Sequence, residues 1–235
     1  MSQPVEWNPT NAARALEMAS GWPLVMFDEF DPSNSNQWNT RLESSRVTIT
    51  KVINGKYVWN VKAHRDVTAW THAPYRDEET TNDFIVSVDC RRVSGPKTSA
   101  MGLVFRGRGE NLYYFKVGNE GRFGVFLLEG GGWTSLIPST QSYAIQPNDV
   151  NRLTVIGEGS HFLFLINNQY VGEVEDHRLT SGSVGIAINL RHAGEGAIFE
   201  FDNFELRRPM APPLMQSQLT ATPTATYTYD LVLEY

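Results

Sequence analysis

Residues 151–207 read NRLTVIGEGSHFLFLINNQYVGEVEDHRLTSGSVGIAINLRHAGEGAIFEFDNFELR, and the spacing of apolar and turn residues in this stretch decides the fold. Leu153 and Val155 alternate with polar neighbours before Gly157 to Gly159 interrupt the run. Phe162 to Ile166 is apolar without a break, the pattern of a strand covered on both faces. Asn167-Asn168 tolerates positive φ and predicts a tight hairpin into Tyr170, Val171 and Val174. Ser181-Gly182 turns the chain again. Val184, Ile186, Ile188 and Leu190 then face one way, and Gly185, Ala187 and Asn189 the other. Phe199 and Phe201 alternate with Glu200 and Asp202 ahead of Phe204 and Leu206, which predicts a strand kinked near Asn203. Short runs joined by turn residues in this way make an antiparallel meander with one face in a core.

The same grammar runs upstream. Pro23 opens a first strand with PLVMFDEF, followed by a loop and Trp38. Asn54-Gly55 is a hairpin signal between Val47–Val52 and Lys56–Ala63, and Tyr57, Trp59 and Val61 share one face of the second of these runs. Residues 64–82 read as polar and irregular, with Trp70, His72 and Tyr75 in a loop. Asp83–Val93 alternates clearly. Met101–Arg106, Leu112–Val117 and Phe123–Leu128 are further strands, and glycines 130–132 lead to Trp133 and a strand through Leu136 and Ile137. Only residues 1–22 look helical: Asn8 caps, Pro9 takes the first helical position, and Ala12, Ala15, Leu16 and Ala19 form a weak apolar stripe. Residues 209–235 begin as a Pro/Thr-rich linker, PMAPPLMQSQLTATPTAT, and end in a Tyr/Leu/Val alternation that suits an added strand. The expected organisation is therefore a helical extension over 1–22, a β-sandwich over 23–208 and a tail over 209–235.

With 235 residues, 41% hydrophobic content and a net charge of −6, the chain is long enough for one large all-β sandwich domain. Lys and Arg form no stripe or run, which argues against nucleic acid and anionic membrane as partners. No apolar stretch approaches membrane-spanning length and the N-terminus lacks a signal peptide's apolar core, so no membrane insertion is expected. Cys90 is the single cysteine. It ends an apolar face and reads as a small buried hydrophobe. The five histidines show no metal-ligand spacing.

The order of these parts is also a resemblance. Asn-x-Leu-x-Val, a Gly-rich turn, an apolar strand, a hairpin, Ser-Gly-x-Val-Gly and a closing Phe-Asp-Asn-Phe-Glu-Leu resemble the last strands of the concanavalin A-like lectin/glucanase superfamily. Within it the chain is most similar to the group called domain of unknown function 1080, the 3-keto-disaccharide hydrolases. Phe-Asp-Glu-Phe followed by Trp38 is similar, more weakly, to the opening of glycoside hydrolase family 16. The resemblance implies a two-sheet antiparallel jelly-roll sandwich whose concave sheet leaves a face open to a glycan. It also implies a structural calcium where first and last strands meet, with Glu29 or Asp28 and Asp202 or Asn203 as the oxygen ligands there.

Family 16 enzymes carry paired acids as Glu-x-Asp-x-(x)-Glu on one strand, which sets two carboxylates about 5 to 5.5 Å apart. Glu173-Val-Glu175-Asp176 lacks the third acid, and Glu200-Phe-Asp202-Asn-Phe-Glu205 has the spacing but lies on the closing strand rather than near mid-chain. No catalytic residue is therefore assigned. For binding, Arg106, Tyr114 and Lys116 share one face of a strand pair by alternation, Asn189 with Gly185 and Ala187 leaves room on another, and Trp70 and Trp133 rim the groove from loops. One Trp stacked on a sugar contributes ~2.5 kcal/mol from ~100 Å² at ~25 cal/mol per Å². Since ~1 mM affinity needs ~4 kcal/mol, several groups must converge.

The reading that follows is a non-catalytic carbohydrate-binding or adhesion module, with a glycan or polysaccharide as partner, displayed outside the cell or at its surface through the Thr/Pro linker, or cytoplasmic otherwise. Two alternatives remain open. One is a glycoside hydrolase acting on a disaccharide or β-glucan. The other is a structural subunit that forms homo-oligomers by lending its C-terminal strand.

Overall fold

The computed structural model describes residues 13, 16, 17, 20–31, 38–40, 42, 43, 48–75 and 82–209. The expected C-terminal linker and added strand, beyond residue 209, lie outside them, as does most of the N-terminal segment. Ala13, Leu16, Glu17 and Ser20 are helical, within the helix expected over 1–22. The rest of the regular structure is β.

Its strands in chain order are β1 (Leu24–Asp28), β2 (Leu42–Glu43), β3 (Thr48–Val52), β4 (Tyr57–Lys62), β5 (Val67–His72), β6 (Phe84–Ser94), β7 (Ala100–Arg108) and β8 (Asn111–Gly118). They continue with β9 (Arg122–Glu129), β10 (Gly132–Gln141), β11 (Asn151–Glu158), β12 (His161–Ile166), β13 (Gln169–Glu175), β14 (Ser183–Leu190) and β15 (Gly196–Arg207). The first sheet has nine strands in the order β13-β12-β11-β6-β15-β4-β3-β2, with β1 also paired to β15. The second has six, in the order β10-β9-β8-β7-β14-β5. Each pairing is antiparallel. The two inner faces close on one core, so the molecule is an all-β two-sheet sandwich of the jelly-roll kind.

Alternation decides what each face buries. From the first sheet, Tyr57, Trp59, Phe84, Val86, Val88, Leu153, Val155, Phe162, Phe164, Phe199 and Phe201 enter the core. From the second come Leu103, Phe105, Tyr113, Phe115, Val125, Leu127, Val184, Ile186 and Ile188. Cys90 is buried among them and donates its S–H to Asn151 O at 3.4 Å. The two hairpins read from sequence are made by left-handed pairs: Asn54-Gly55 at φ 53° and 66°, and Asn167-Asn168 at φ 51° and 61°. Such pairs match the twist of the flanking strands. The kink expected near Asn203 is a β-bulge, with Asn203 at φ 48° and a register shift between Asp202 and Glu205 against β6.

One expectation needs correcting. Residues 64–82 contain a strand, β5, paired along its length with β14. Its VTAWTH sequence is half-buried throughout, because it forms the edge of the second sheet and neither of its faces enters the core cleanly. The apolar signal of such a strand is weak. Trp70 therefore stands on a strand, and so does Trp133, on β10.

The continuously apolar β12 behaves as its sequence predicts. Phe162, Phe164 and Ile166 fill the core, while Leu163 and Leu165 point outward and pack with Ile85 and Ile156 under Leu16, Trp22 and Tyr170. Leu16 of the N-terminal helix and Trp22 thus cover part of the outer face of the first sheet.

Candidate functional site

Among the described residues, none of the N-terminal segment packs in the outer cluster of the second sheet, and register determines the relief of that face. Trp70, Ala187, Gly102, Lys116 and Gly124 stand side by side across β5, β14, β7, β8 and β9. The next row is His72, Gly185, Val104, Tyr114 and Phe126. In register between Trp70 and Lys116 stand only Ala187 and Gly102, both buried. At about 4.8 Å per strand, the backbones of Trp70 and Lys116 are about 14 Å apart. Gly102 is required by the sheet itself, since a Cβ there would meet Phe115 O at 2.0 Å. The glycine that opens the floor also lets the strands coil tightly.

Tyr114 lies flat on this floor. Its ring belongs to a small outer cluster with Val104, Leu112, Leu128 and Ala187, against which Trp70 packs. It is only 1% exposed, and its hydroxyl donates to Ala187 O at 3.4 Å. Tyr114 thus supports the face rather than reaching out from it. The Trp133 ring lies 6.4 Å from the Tyr114 ring and is 45% exposed, presenting an open aromatic surface at the far end.

Lys116 is held by rings. Its Nζ sits 4.5 Å from the Phe126 centroid and 5.8 Å from that of Tyr114, a cation–π arrangement. Burial, reinforced by the nearby Arg191 charge and opposed by Asp66, pushes its pKa down to about 8. Asn189 donates its amide to Val67 O and Thr68 Oγ1, both at 3.0 Å, and to Asp66 Oδ1 at 3.4 Å, which ties the ends of β14 and β5 together beside the trough. Tyr114, Lys116, Trp70, Trp133 and Asn189 are thus brought to one face.

Arg106 is not. Alternation after Val104 would place it beside them, but Arg106 takes φ 49° and the β7–β8 ladder shifts register between Phe105 and Arg108. This bulge inserts one residue and turns the side chain inward. The guanidinium donates to Leu179 O at 2.8 Å, to Asn82 O at 2.7 Å and to Gly159 O, and its centre lies 4.6 Å from the Phe162 centroid. With 1% exposure, Arg106 is an internal clamp joining three loops at one end of the sandwich.

Sequence reading missed Phe126, Gly102 and Gly124. The signal available was register: once β8 pairs with β9, the residues opposite Tyr114 and Lys116 are Phe126 and Gly124. It also missed the polar pair at the sheet's end, where Ser183 Oγ lies 2.8 Å from His72 Nδ1 and donates to Gly107 O at 3.0 Å. With its proton directed at a backbone carbonyl, that hydroxyl accepts from Nδ1–H, and burial lowers the His72 pKa. The pair works as a neutral latch between β5, β14 and β7.

The acidic runs are committed elsewhere. On the outer face of the first sheet, Glu200 pairs with Arg91 at 2.7 Å, Asp202 with Lys56 at 2.8 Å, and Glu205 with Arg152 at 2.9 Å and with Arg207. Glu173 faces His161, and Glu175 faces His177. Burial raises the Asp176 pKa, but the Arg178 guanidinium and the Tyr113 hydroxyl, at 2.6 Å, outweigh it and hold this carboxylate at about 2. Glu29 and Asp202 do line one cleft, with Asp31, Gly55 and Asn203. This is a hard-oxygen set of the kind calcium takes. Both Asp202 oxygens are already engaged there, by Lys56 Nζ and by the Asn203 backbone N–H at 2.8 Å, so a calcium ion at this cleft has to compete with the Lys56 ammonium.

No family model matches the chain, and no curated protein matches it in sequence. Solved structures do. The carbohydrate binding module CBM66 from Bacillus subtilis aligns with TM-score 0.51 and 18% identity over 80% of this chain and 95% of that one. A protein of unknown function with a galectin-like fold, also from Bacillus subtilis, aligns with TM-score 0.58 and 13% identity over 79% of this chain and 96% of that one. A GH43 protein from Bacillus licheniformis aligns with TM-score 0.56 and 16% identity over 88% of this chain but only 40% of its own. At these identities the likeness is one of fold, and the fold is the galectin-like, concanavalin A-like β-sandwich.

Proposed function

We propose that the chain is a carbohydrate-binding module whose ligand lies on the outer face of the six-stranded sheet and is held there without being cleaved. The observation that carries this reading is the convergence of Trp70, Lys116 and Trp133 around a floor of Gly102, Ala187, Gly124 and the flat ring of Tyr114. Open aromatic faces take the apolar face of a sugar ring, and Trp133, 45% exposed beside the Tyr114 ring, is such a face. The half-buried Thr68 hydroxyl at the sheet edge is a polar neighbour for a sugar hydroxyl. A glycan or polysaccharide outside the cell is the partner such a face suits. The likeness in fold to CBM66 supports the reading, as does the commitment of the Glu200–Glu205 and Glu173–Asp176 acids to ion pairs and hydrogen bonds.

The test is calorimetric titration against a glycan panel with Trp70→Ala and Trp133→Ala in parallel, together with an assay for reducing-sugar release. Binding by the natural chain, weakened about tenfold or more by loss of either ring, with no sugar released, is the expected result. Unchanged binding in both variants would remove the ligand from this face. Turnover abolished by replacing one acid would make the chain a hydrolase.

A further inference from the structure

An unpaired sheet edge is a template for another strand, and proteins blunt such edges with bulges, prolines, charges or shortness. Most edges of this sandwich are blunted. β1 and β13 each carry a register shift, β10 carries two and holds Pro138, and β2 is two residues long. β5 is the exception. It pairs with β14 over six residues without a shift, and its VTAWTH sequence has no Pro, Gly, Lys or acid. It ends the strand order of its sheet, so its other side pairs with no strand among the described residues. The Ala73 N–H donates to Val184 O at 2.8 Å, one step along the same register, so by alternation the backbone groups of Val67, Ala69 and Thr71 also face β14. Those of Thr68, Trp70 and His72 face away, where they have no backbone partner among the described residues.

The chain itself holds a segment of matching character. Residues 226–235 read TYTYDLVLEY, with Tyr227, Tyr229, Leu231, Leu233 and Tyr235 at every second position and Thr228, Asp230 and Glu234 between them, the pattern of a strand with one apolar side. The described chain also leaves β15 beside the end of β5: Arg208 Nη1 lies 3.5 Å from Tyr75 Oη, and Tyr75 stands just beyond His72. From there the Pro/Thr-rich residues 210–225 reach up to about 50 Å at ~3.1 Å per residue, against about 20 Å for the length of β5 at ~3.4 Å per residue. We propose that residues 226–235 add to the free edge of β5 in the same molecule, antiparallel to it, as a further strand of the second sheet. Antiparallel pairing follows from the chain arriving at the His72 end, where β5 finishes. The apolar side then continues the inner face past Val67 and Ala69, which pack on the core, and the polar side continues the outer face past Thr68 and Trp70. A segment tethered by this linker stands at an effective concentration of about a millimolar, which favours its own molecule over a second copy in dilute solution.

The experiment is amide hydrogen exchange on the full chain, read residue by residue by NMR, beside a full-length variant carrying Leu231→Pro and Val232→Pro. Neighbouring residues of a strand point their N–H groups to opposite sides, so one of the two prolines removes a bond to β5 whatever the register. The Thr68, Trp70 and His72 amides are expected to exchange at least about tenfold more slowly in the natural chain than in the variant. The Leu103 and Phe115 amides, in the middle of the sheet, are expected to stay equally protected in both, which reports that the variant folds. Fast exchange at Thr68, Trp70 and His72 in the natural chain overturns the inference by itself, as does slow exchange that the prolines leave unchanged. Sedimentation is expected to show a monomer. A dimer that the prolines dissociate overturns the choice of the same molecule and gives the strand to a neighbouring copy.

Discussion

The outer faces of the two sheets obey the same alternation rule and come out differently. On the first sheet many of the described outward groups are answered from within the chain. Leu163, Leu165, Ile85 and Ile156 are covered by Leu16, Trp22 and Tyr170, Ser87 and Thr154 share a hydrogen bond of 2.8 Å, and Arg152 bridges Asp89 and Glu205. On the second sheet the outward groups are rings, glycines and an ammonium supported by rings. The first face is finished by folding; the second has aromatic surface and positive charge left over. A sandwich needs only its inner faces to be apolar. Either outer face is thus free to vary, and the one that leaves groups unanswered is where binding is to be sought.

The largest effect expected from breaking this contrast is at Arg106, which alternation assigns to the ligand face and the bulge assigns to the interior. Arg106→Met should cost about 2 to 3 kcal/mol, since it removes the charge-assisted hydrogen bonds that tie the Leu179, Asn82 and Gly159 carbonyls together. Chemical denaturation measures this, and glycan affinity of the folded fraction should not change. A variant as stable as the natural chain but unable to bind would return Arg106 to the ligand face.

Next in size is Leu163→Ala under the N-terminal cover. Removing its side chain from the outer cluster of the first sheet should lower stability by about 2 to 3 kcal/mol with binding untouched, again by denaturation and titration. A fall in affinity here would mean that the two faces are coupled.

Lys116→Met inverts the pattern, raising stability by under about 1 kcal/mol near pH 7. The sign follows from the folded pKa of about 8 against an unfolded value of 10.5. Between these values the unfolded chain binds the extra proton, so the natural protein gains stability as pH rises through that window. The variant lacks that gain. Melting temperatures of the two proteins should therefore converge from pH 8 to pH 10. Parallel pH curves for the two proteins would contradict this.

The smallest effect is at the cleft between first and last strands. The Lys56 and Asp202 side chains are 34% and 22% exposed, so Lys56→Met should cost under about 1 kcal/mol. It releases one Asp202 oxygen from that ammonium, and the variant's melting temperature should rise on adding calcium more than that of the natural chain does. Equal responses in a calcium titration would show that Lys56 and a cation do not compete.

Much of the architecture could be read in advance because it rests on local rules. The Asn54-Gly55 and Asn167-Asn168 turns, the two-sided burial of β12 and the bulge at Asn203 each depend on residues adjacent in the chain. Strand β5 escaped because an edge strand half-covered on both faces has no clean apolar alternation to display. The outer-face residues Tyr114, Lys116 and Asn189 were legible as the outward members of alternating strands. Phe126 and Gly124 were not, because their meaning lies in which strand they stand beside.

By itself the sequence determined which residues look inward and which look outward, since that is set by a period of two along each strand and by turn residues with positive φ. Only the tertiary structure decided which outward residues meet, and which are answered by a partner. Pairing across strands joins positions far apart in the chain, and a single inserted residue, as at Arg106, reverses every inference drawn from the period. The physical reason is that alternation is a property of one strand, whereas a binding face is a property of register among several.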